Sequence, residues 1–302
     1  DDQPLSYTID PPNLPYKMEV ALPPFTNTTE RQAAAFIVLV RNSELKGMLE
    51  SMKDIEYRFN RKFNYPWIFL NDQPFTKQFK KLTTKAASSK TFYGLVDESM
   101  WGYPKWINQT LAAEERQKMK HVPYGLSESY RHMCRFQSGF FWRHPLVLSL
   151  NLEYYWRVEP NVRYYCELDY DPFLYMKQNN KKYEHSGTIP KLWHHVKNFA
   201  REATRQGKNY FPHKVTDTLF PFISRDNGKS YTGCHFWTNF EIARLDLWFT
   251  QAYQDFFEYL DNAGGFFYER WGDAPVHSIF AALYLKQDEI HFFNDIGYKH
   301  SF

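Results

Sequence analysis

Four side chains stand where acid or metal chemistry is worth testing: Glu159, Glu241, Asp273 and His300. Glu159 closes the run Tyr154-Tyr155-Trp156-Arg157-Val158-Glu159-Pro160-Asn161, an aromatic strand ending in a carboxylate at a proline turn. Ligands of open α/β sheets bind beyond the carboxyl ends of the strands, and a carboxylate there offers a hard oxygen to a divalent ion facing a diphosphate. Taken alone, such a glutamate is more often a solvated turn residue. Glu241 is the one acid in Gly233-Cys234-His235-Phe236-Trp237-Thr238-Asn239-Phe240-Glu241-Ile242. A carboxylate among apolar and aromatic neighbours is expensive unless paired or used. It reads as a nucleophile or charge stabiliser for an oxocarbenium-like centre, with a structural salt bridge as the equal alternative. Asp273, in Glu269-Arg270-Trp271-Gly272-Asp273-Ala274-Pro275-Val276-His277, precedes a helix and reads first as its cap, second as a group facing an incoming hydroxyl. His300, in Gly297-Tyr298-Lys299-His300, is either a surface histidine or a neutral imidazole ligand for a metal.

The elements that must position these groups follow from hydrophobic pattern. Residues 33–40 are a continuous apolar run of strand length, and Asn42 is the expected N-cap of a helix over 43–59, whose Leu45, Met48, Leu49, Met52, Ile55 and Phe59 recur at helical spacing. A second buried strand is expected over 65–70. Strand, helix, strand is the signature of a parallel sheet covered on both faces, hence an α/β fold. Further strands are expected over 92–96, 154–158 and 291–293, and helices over 127–142 and 190–204. A helix over 251–262 is stopped by Gly264-Gly265, and Pro275 sits in the first turn of another that runs to about 285. Residues 1–30 carry Pro4, Pro11, Pro12, Pro15, Pro23 and Pro24 and read as an extended stem. Residues 31–302 show no repeat or linker and read as a single catalytic domain.

Composition narrows the classes. The 302 residues are 43% hydrophobic, enough for a large core, and the net charge of +3 comes without a basic arm, which argues against a nucleic-acid or membrane-surface partner. The run 33–40 is far short of the roughly 20 residues that span a bilayer. The chain starts at Asp1 without a signal-peptide pattern, so a preceding anchor is expected to be missing. Cys134, Cys166 and Cys234 form no CxxC, which disfavours a zinc site and allows at most one disulfide. Sequons at Asn27 and Asn108 suit a secretory chain. GxGxxG after the first strand, GxxxxGK[ST], HExxH and GxSxG are all absent, so a bound nucleotide would need another phosphate cradle.

VLVRNSEL (38–45), YPWIFLND (65–72), SYRHMCRF (129–136), YYWRVEP, GCHFWTNFEIA, YLDNAGGFFYERWGDAPVHS and the terminal GYKH together resemble the fungal α-1,2-mannosyltransferases of glycosyltransferase family 15, from about residue 36 to 302. The resemblance implies a GT-A fold with a mixed central sheet flanked by helices, GDP-mannose as donor, Mn²⁺ or another divalent ion, and retention of configuration. It also implies a mannose-terminated O- or N-linked glycan of a secretory glycoprotein as acceptor, and a Golgi-lumenal domain of a type II membrane protein. Carried over by segment, Glu159 and His300 would serve the metal, and Glu241 would be the carboxylate beneath the anomeric carbon. Arg41, Tyr130, Arg135 and Arg157 would lie near GDP, and Trp237, Asn239 and Asp273 near the acceptor or donor mannose. The family's turn is often EPD; Asn161 here takes a negative charge from beside the expected metal. Competing expectations are transfer of mannosyl-phosphate, a carbohydrate-binding module without catalysis, and a retaining glycosidase using Glu159 and Glu241.

Overall fold

The apolar run near residue 36 forms strand β1 (Ala34–Leu39), whose side chains alternate between two cores. Phe36 and Val38 pack with Met48, Met52 and Ile55 of helix α1 (Leu45–Ile55), while Ala35 and Ile37 enter the core on the other face. A strand buried on both faces has no polar side, which is why its sequence is continuous and not alternating. The chain returns through α1 to β2 (Trp67–Asn71), parallel to β1, and through α2 (Lys77–Ala86) to β3 (Thr91–Leu95), parallel to β2. The structure, a computed structural model, describes residues 31–185, 188–190, 217–226 and 230–300. The stem expected over 1–30 lies outside them, as does the helix expected over 190–204 apart from Pro190, which ends a strand.

Helices α3 (Gln109–Lys118) and α4 (Glu128–Gly139) precede β4 (Tyr154–Arg157), which joins the free side of β1 in parallel. There follow β5 (Val162–Tyr164), α5 (Pro172–Gln178), β6 (Tyr183–His185), β7 (Thr188–Pro190), β8 (Cys234–Phe236) and β9 (Glu241–Arg244). The chain ends with α6 (Gln251–Ala263), α7 (Asp273–Tyr284), β10 (Ile290–Phe292) and β11 (Tyr298–His300). The central sheet has seven strands in the order β10-β6-β9-β4-β1-β2-β3. Strand β9 runs antiparallel to β4 and β6, so the sheet is mixed and not purely parallel as the first βαβ pattern alone suggests. Outside it, β11 pairs antiparallel with β5, and β7 with β8.

Two helix ends differ from expectation. Asn42 does not cap α1: its amide donates to the Pro74 carbonyl at 3.0 Å and its oxygen accepts from the Thr76 N–H at 2.9 Å, so it ties down the loop after β2. The chain enters α1 through a 3-10 turn, Asn42–Glu44, closed by the Arg41 N–H donating to Glu44 at 2.7 Å. Helix α4 stops at Gly139, followed by a 3-10 turn at Phe141–Arg143. At the other end of α4 the Ser127 hydroxyl accepts from the Tyr130 N–H at 3.1 Å, the capping bond that makes Ser127 a helix start. Helix α6 ends as expected at Gly264, whose φ of +72° is the left-handed conformation that glycine tolerates best.

Candidate active site

Because β1 and β4 are parallel neighbours, Arg41 just past β1 and Glu159 just past β4 leave the sheet on the same side. Strand β9 runs the other way, so its first residue, Glu241, pairs with the last residue of β4, Arg157. The β11–β5 pair sets His300 opposite Val162, three positions after Glu159, and the first turn of α7 supplies Asp273. These segments surround a cleft of about 450 Å³ whose wall includes Arg41, Tyr130, Arg157, Glu159, Trp237, Asn239, Asp273 and His300.

Arg157 organises the floor. One guanidinium nitrogen lies 2.5 Å from Asp273 Oδ2 and another 2.5 Å from Glu159 Oε1, while Thr238 Oγ donates to Asp273 Oδ2 at 2.7 Å. Asp273 is the first residue of α7, and its carboxylate is taken by Arg157 and Thr238, so the capping reading gives way to an ion pair. Burial opposes ionisation of Asp273, but Arg157 and Thr238 more than offset it and bring its pKa down to about 2. Burial likewise works against the Glu159 carboxylate, yet Arg157 and His300 hold it below the ordinary range. Both acids are therefore charged at neutral pH. His300 Nε2 sits 3.4 Å from Glu159 Oε2 at the cleft wall, so an imidazole nitrogen and a carboxylate oxygen lie side by side there. Among the described residues no set of three or more His, Cys, Asp or Glu is gathered to hold a metal. A pair of this kind fits a divalent ion that takes its remaining ligands from a bound substrate and water.

Glu241 lies one layer deeper than the cleft wall and is fully buried. It accepts from the Tyr155 hydroxyl, from Tyr183 Oη at 2.7 Å and from His277 Nδ1 at 2.7 Å. Arg135 does not reach the cleft: it grips Asp261 of α6 through Nε at 2.6 Å and Nη2 at 2.8 Å. Its helix turns it toward α6, while Tyr130 and Met133 of the same helix face the cleft. Asn161 is also absent from the cleft wall. It holds φ +61°, and its amide packs so closely on Gly47 that a Cβ there would come within 2.3 Å of it. The substitution at the family's EPD turn thus meets α1 and not the Glu159–His300 pair.

Several wall residues were given no role by sequence reasoning: Asp72, Tyr124, Gln137 and His235 line the cleft from two loops, a helix and a strand. The Tyr124 ring stacks on Tyr130, centroids 5.1 Å apart, and Arg270 lies over the Tyr130 ring. A signal did exist for the Glu241 partners. Tyr155 shares a strand face with Arg157 by period two, and His277 shares a helix face with Asp273 at four-residue spacing.

A mixed α/β sheet whose strand ends and following loops deliver acids, an arginine and a histidine to one cleft is a fold of the GT-A type. The chain belongs to the glycolipid 2-alpha-mannosyltransferase family, whose model matches residues 10–302. It is 51% identical over 292 residues to glycolipid 2-alpha-mannosyltransferase of Saccharomyces cerevisiae, covering 94% of this chain and 64% of that protein. It is 52% identical over 281 residues to glycolipid 2-alpha-mannosyltransferase 2 of Candida albicans, covering 90% of this chain and 59% of that protein. The chain therefore spans under two thirds of these curated relatives. The crystal structure of core-mannan synthase A from Aspergillus fumigatus, in its Mn/GDP form, superposes with a TM-score of 0.86 at 38% identity, covering 97% of this chain and 82% of that one.

Proposed function

We propose that this chain is the catalytic part of a retaining α-1,2-mannosyltransferase that moves mannose from GDP-mannose to a mannose-terminated glycan of a secretory glycoprotein. The observation that carries the reading is the convergence of Arg157, Glu159, Asp273 and His300 in one cleft beyond the strand ends. Relatives named as α-1,2-mannosyltransferases and a similar structure holding Mn and GDP support it.

In this reading Glu159 and His300 would hold Mn²⁺, whose chemistry there is to offset the negative charge of the diphosphate. Arg41 and Tyr130 line the nucleotide side. Arg157, buried and always charged, fixes the two cleft carboxylates and lends positive charge beside the departing phosphate. Trp237 offers a flat apolar face and Asn239 an amide that reads sugar hydroxyls. Asp273 faces the acceptor hydroxyl, and Glu241 stabilises from below the positive charge that grows at the mannose C1. Arg135 supports α4 through Asp261 and takes no part at the cleft.

Among the described residues no helix is long and apolar enough to cross a membrane. On the family reading we assign the domain to the Golgi lumen behind an N-terminal anchor. The test is incubation with GDP-mannose, methyl α-mannoside and Mn²⁺. An α-1,2-linked dimannoside, abolished by EDTA, is the expected product. A phosphate-bearing product would transfer the assignment to mannosyl-phosphate chemistry, and no turnover with any mannoside acceptor would sink the reading.

A further inference from the structure

Glu241 is sealed among donors from three elements. Tyr155 on β4, Tyr183 on β6 and His277 on α7 all direct hydrogen bonds to its carboxylate. Burial, reinforced by the Glu241 charge, pushes both phenols well above their ordinary value, so each keeps its proton and donates. The indole of Trp248 donates to the Tyr155 oxygen at 3.1 Å and stacks on the His277 ring with centroids 4.2 Å apart. The imidazole is thus fixed on its edge by a carboxylate and on its face by an indole.

The second ring nitrogen of His277, Nε2, is buried without a hydrogen-bond partner among the described residues. Nδ1 is the ring nitrogen that is engaged, and it donates to the Glu241 carboxylate oxygen. The groups facing the ring are Glu241 from β9, Tyr155 from β4, Tyr253 from α6 at 6.0 Å, Trp248, Phe141, and the charge of Asp273 one turn earlier on α7. None of them offers Nε2 an acceptor in place of water.

We propose that His277 is a positioning residue for mannosyl transfer: as an Nδ1–H donor on α7 it fixes the Glu241 carboxylate beneath the cleft, in register with Asp273 on the same helix. The inference rests on the reading of Glu241 given above. Helix α7 carries one acid into the cleft at Asp273 and holds the deeper one through His277, so the two charges are set by a single rigid element. His277 itself is not part of the cleft wall.

The experiment compares His277→Leu, which removes the donor, with His277→Asn, whose amide can donate from the place of Nδ1. A small misplacement of a catalytic group can cost on the order of 100-fold, and that is the loss in kcat expected for His277→Leu, with KM for GDP-mannose changed by less than about twofold. His277→Asn should recover at least about tenfold of the loss, and this rescue should vanish when Glu241→Gln is present in both variants. Full kcat in a folded His277→Leu protein, or no advantage of Asn over Leu, overturns the inference. If Glu241→Gln alone keeps full activity, it is the Glu241 reading that fails. Should His277→Leu not fold, the ¹⁵N ring signals of the wild-type protein decide, with His277→Asn identifying the resonance. A ring whose Nδ1 carries a proton shared with the Glu241 carboxylate is expected, and a ring protonated only on Nε2 refutes it.

Discussion

Arg157 and Asp273, 116 residues apart in sequence, meet at 2.5 Å and join the end of strand β4 to the first turn of helix α7. The contact explains why a helix start lies in the cleft at all. Asp273 brings negative charge to the positive end of the α7 dipole, and Arg157 removes the cost of burying it. Because Arg157 also holds Glu159, one guanidinium fixes two carboxylates of the cleft wall.

Arg157→Met should therefore destabilise as well as inactivate. It leaves Asp273, which is 5% exposed, without its cation and loosens Glu159. Removing one partner of a buried pair costs about 3–5 kcal/mol, which urea unfolding would register as a lowered midpoint. A midpoint equal to wild type would mean that water reaches and compensates both carboxylates.

The same pair sets an acid limit to stability. The Asp273 pKa falls from an ordinary 3.8 to about 2 in the folded protein, so its contribution is complete above the unfolded value and is lost as pH drops through the folded one. At about 1.4 kcal/mol per unit the contribution is roughly 2 kcal/mol. Stability measured between pH 5 and 2 should decline less steeply in Asp273→Asn, which has no such proton to take up. Identical slopes in the two proteins would rule out Asp273 as a source of the decline.

Cleft and non-cleft residues should separate cleanly under metal titration. Glu159→Gln removes the charged oxygen beside His300 and should raise the Mn²⁺ concentration for half-maximal activity by at least about tenfold. Arg135→Met, which strands Asp261 in the packing between α4 and α6, should lower the melting temperature and leave that Mn²⁺ requirement unchanged. A shifted requirement in Arg135→Met would place Arg135 in the nucleotide site after all.

What could be read from sequence follows the range of the interactions. Strands β1 and β2 were legible because burial on both faces leaves an unbroken apolar run, and the α6 stop was legible because Gly264 carries its left-handed conformation locally. Nothing in the run around Glu241 marks a strand, since β9 is only four residues long and its direction is decided by β4 and β6 on either side. Glu159 and His300 follow no spacing rule because the short β11–β5 ladder brings them together. The segment around Arg135 points it to the cleft, but a helix has several faces, and only packing against α6 reveals which one Arg135 occupies.

Asn161 offers the last test, because sequence and structure assign it different work. By motif it is a lost acid beside the metal, and restoring it with Asn161→Asp should then tighten Mn²⁺ binding. By geometry it is a turn residue at φ +61° whose amide rests on Gly47 while its N–H donates to the Gly47 carbonyl at 3.1 Å. Asparagine and aspartate both tolerate the left-handed region, so Asn161→Asp should fold normally and leave the Mn²⁺ requirement where it was. Asn161→Ala puts a residue that disfavours the left-handed region at this turn and should lose about 1 kcal/mol. Gly47→Ala should also destabilise, because its new methyl would come within 2.3 Å of the Asn161 side-chain amide and force that amide to move. A several-fold drop in the Mn²⁺ requirement of Asn161→Asp would show that its carboxylate swings past the turn to reach Glu159 and His300, and would return this position to the metal site.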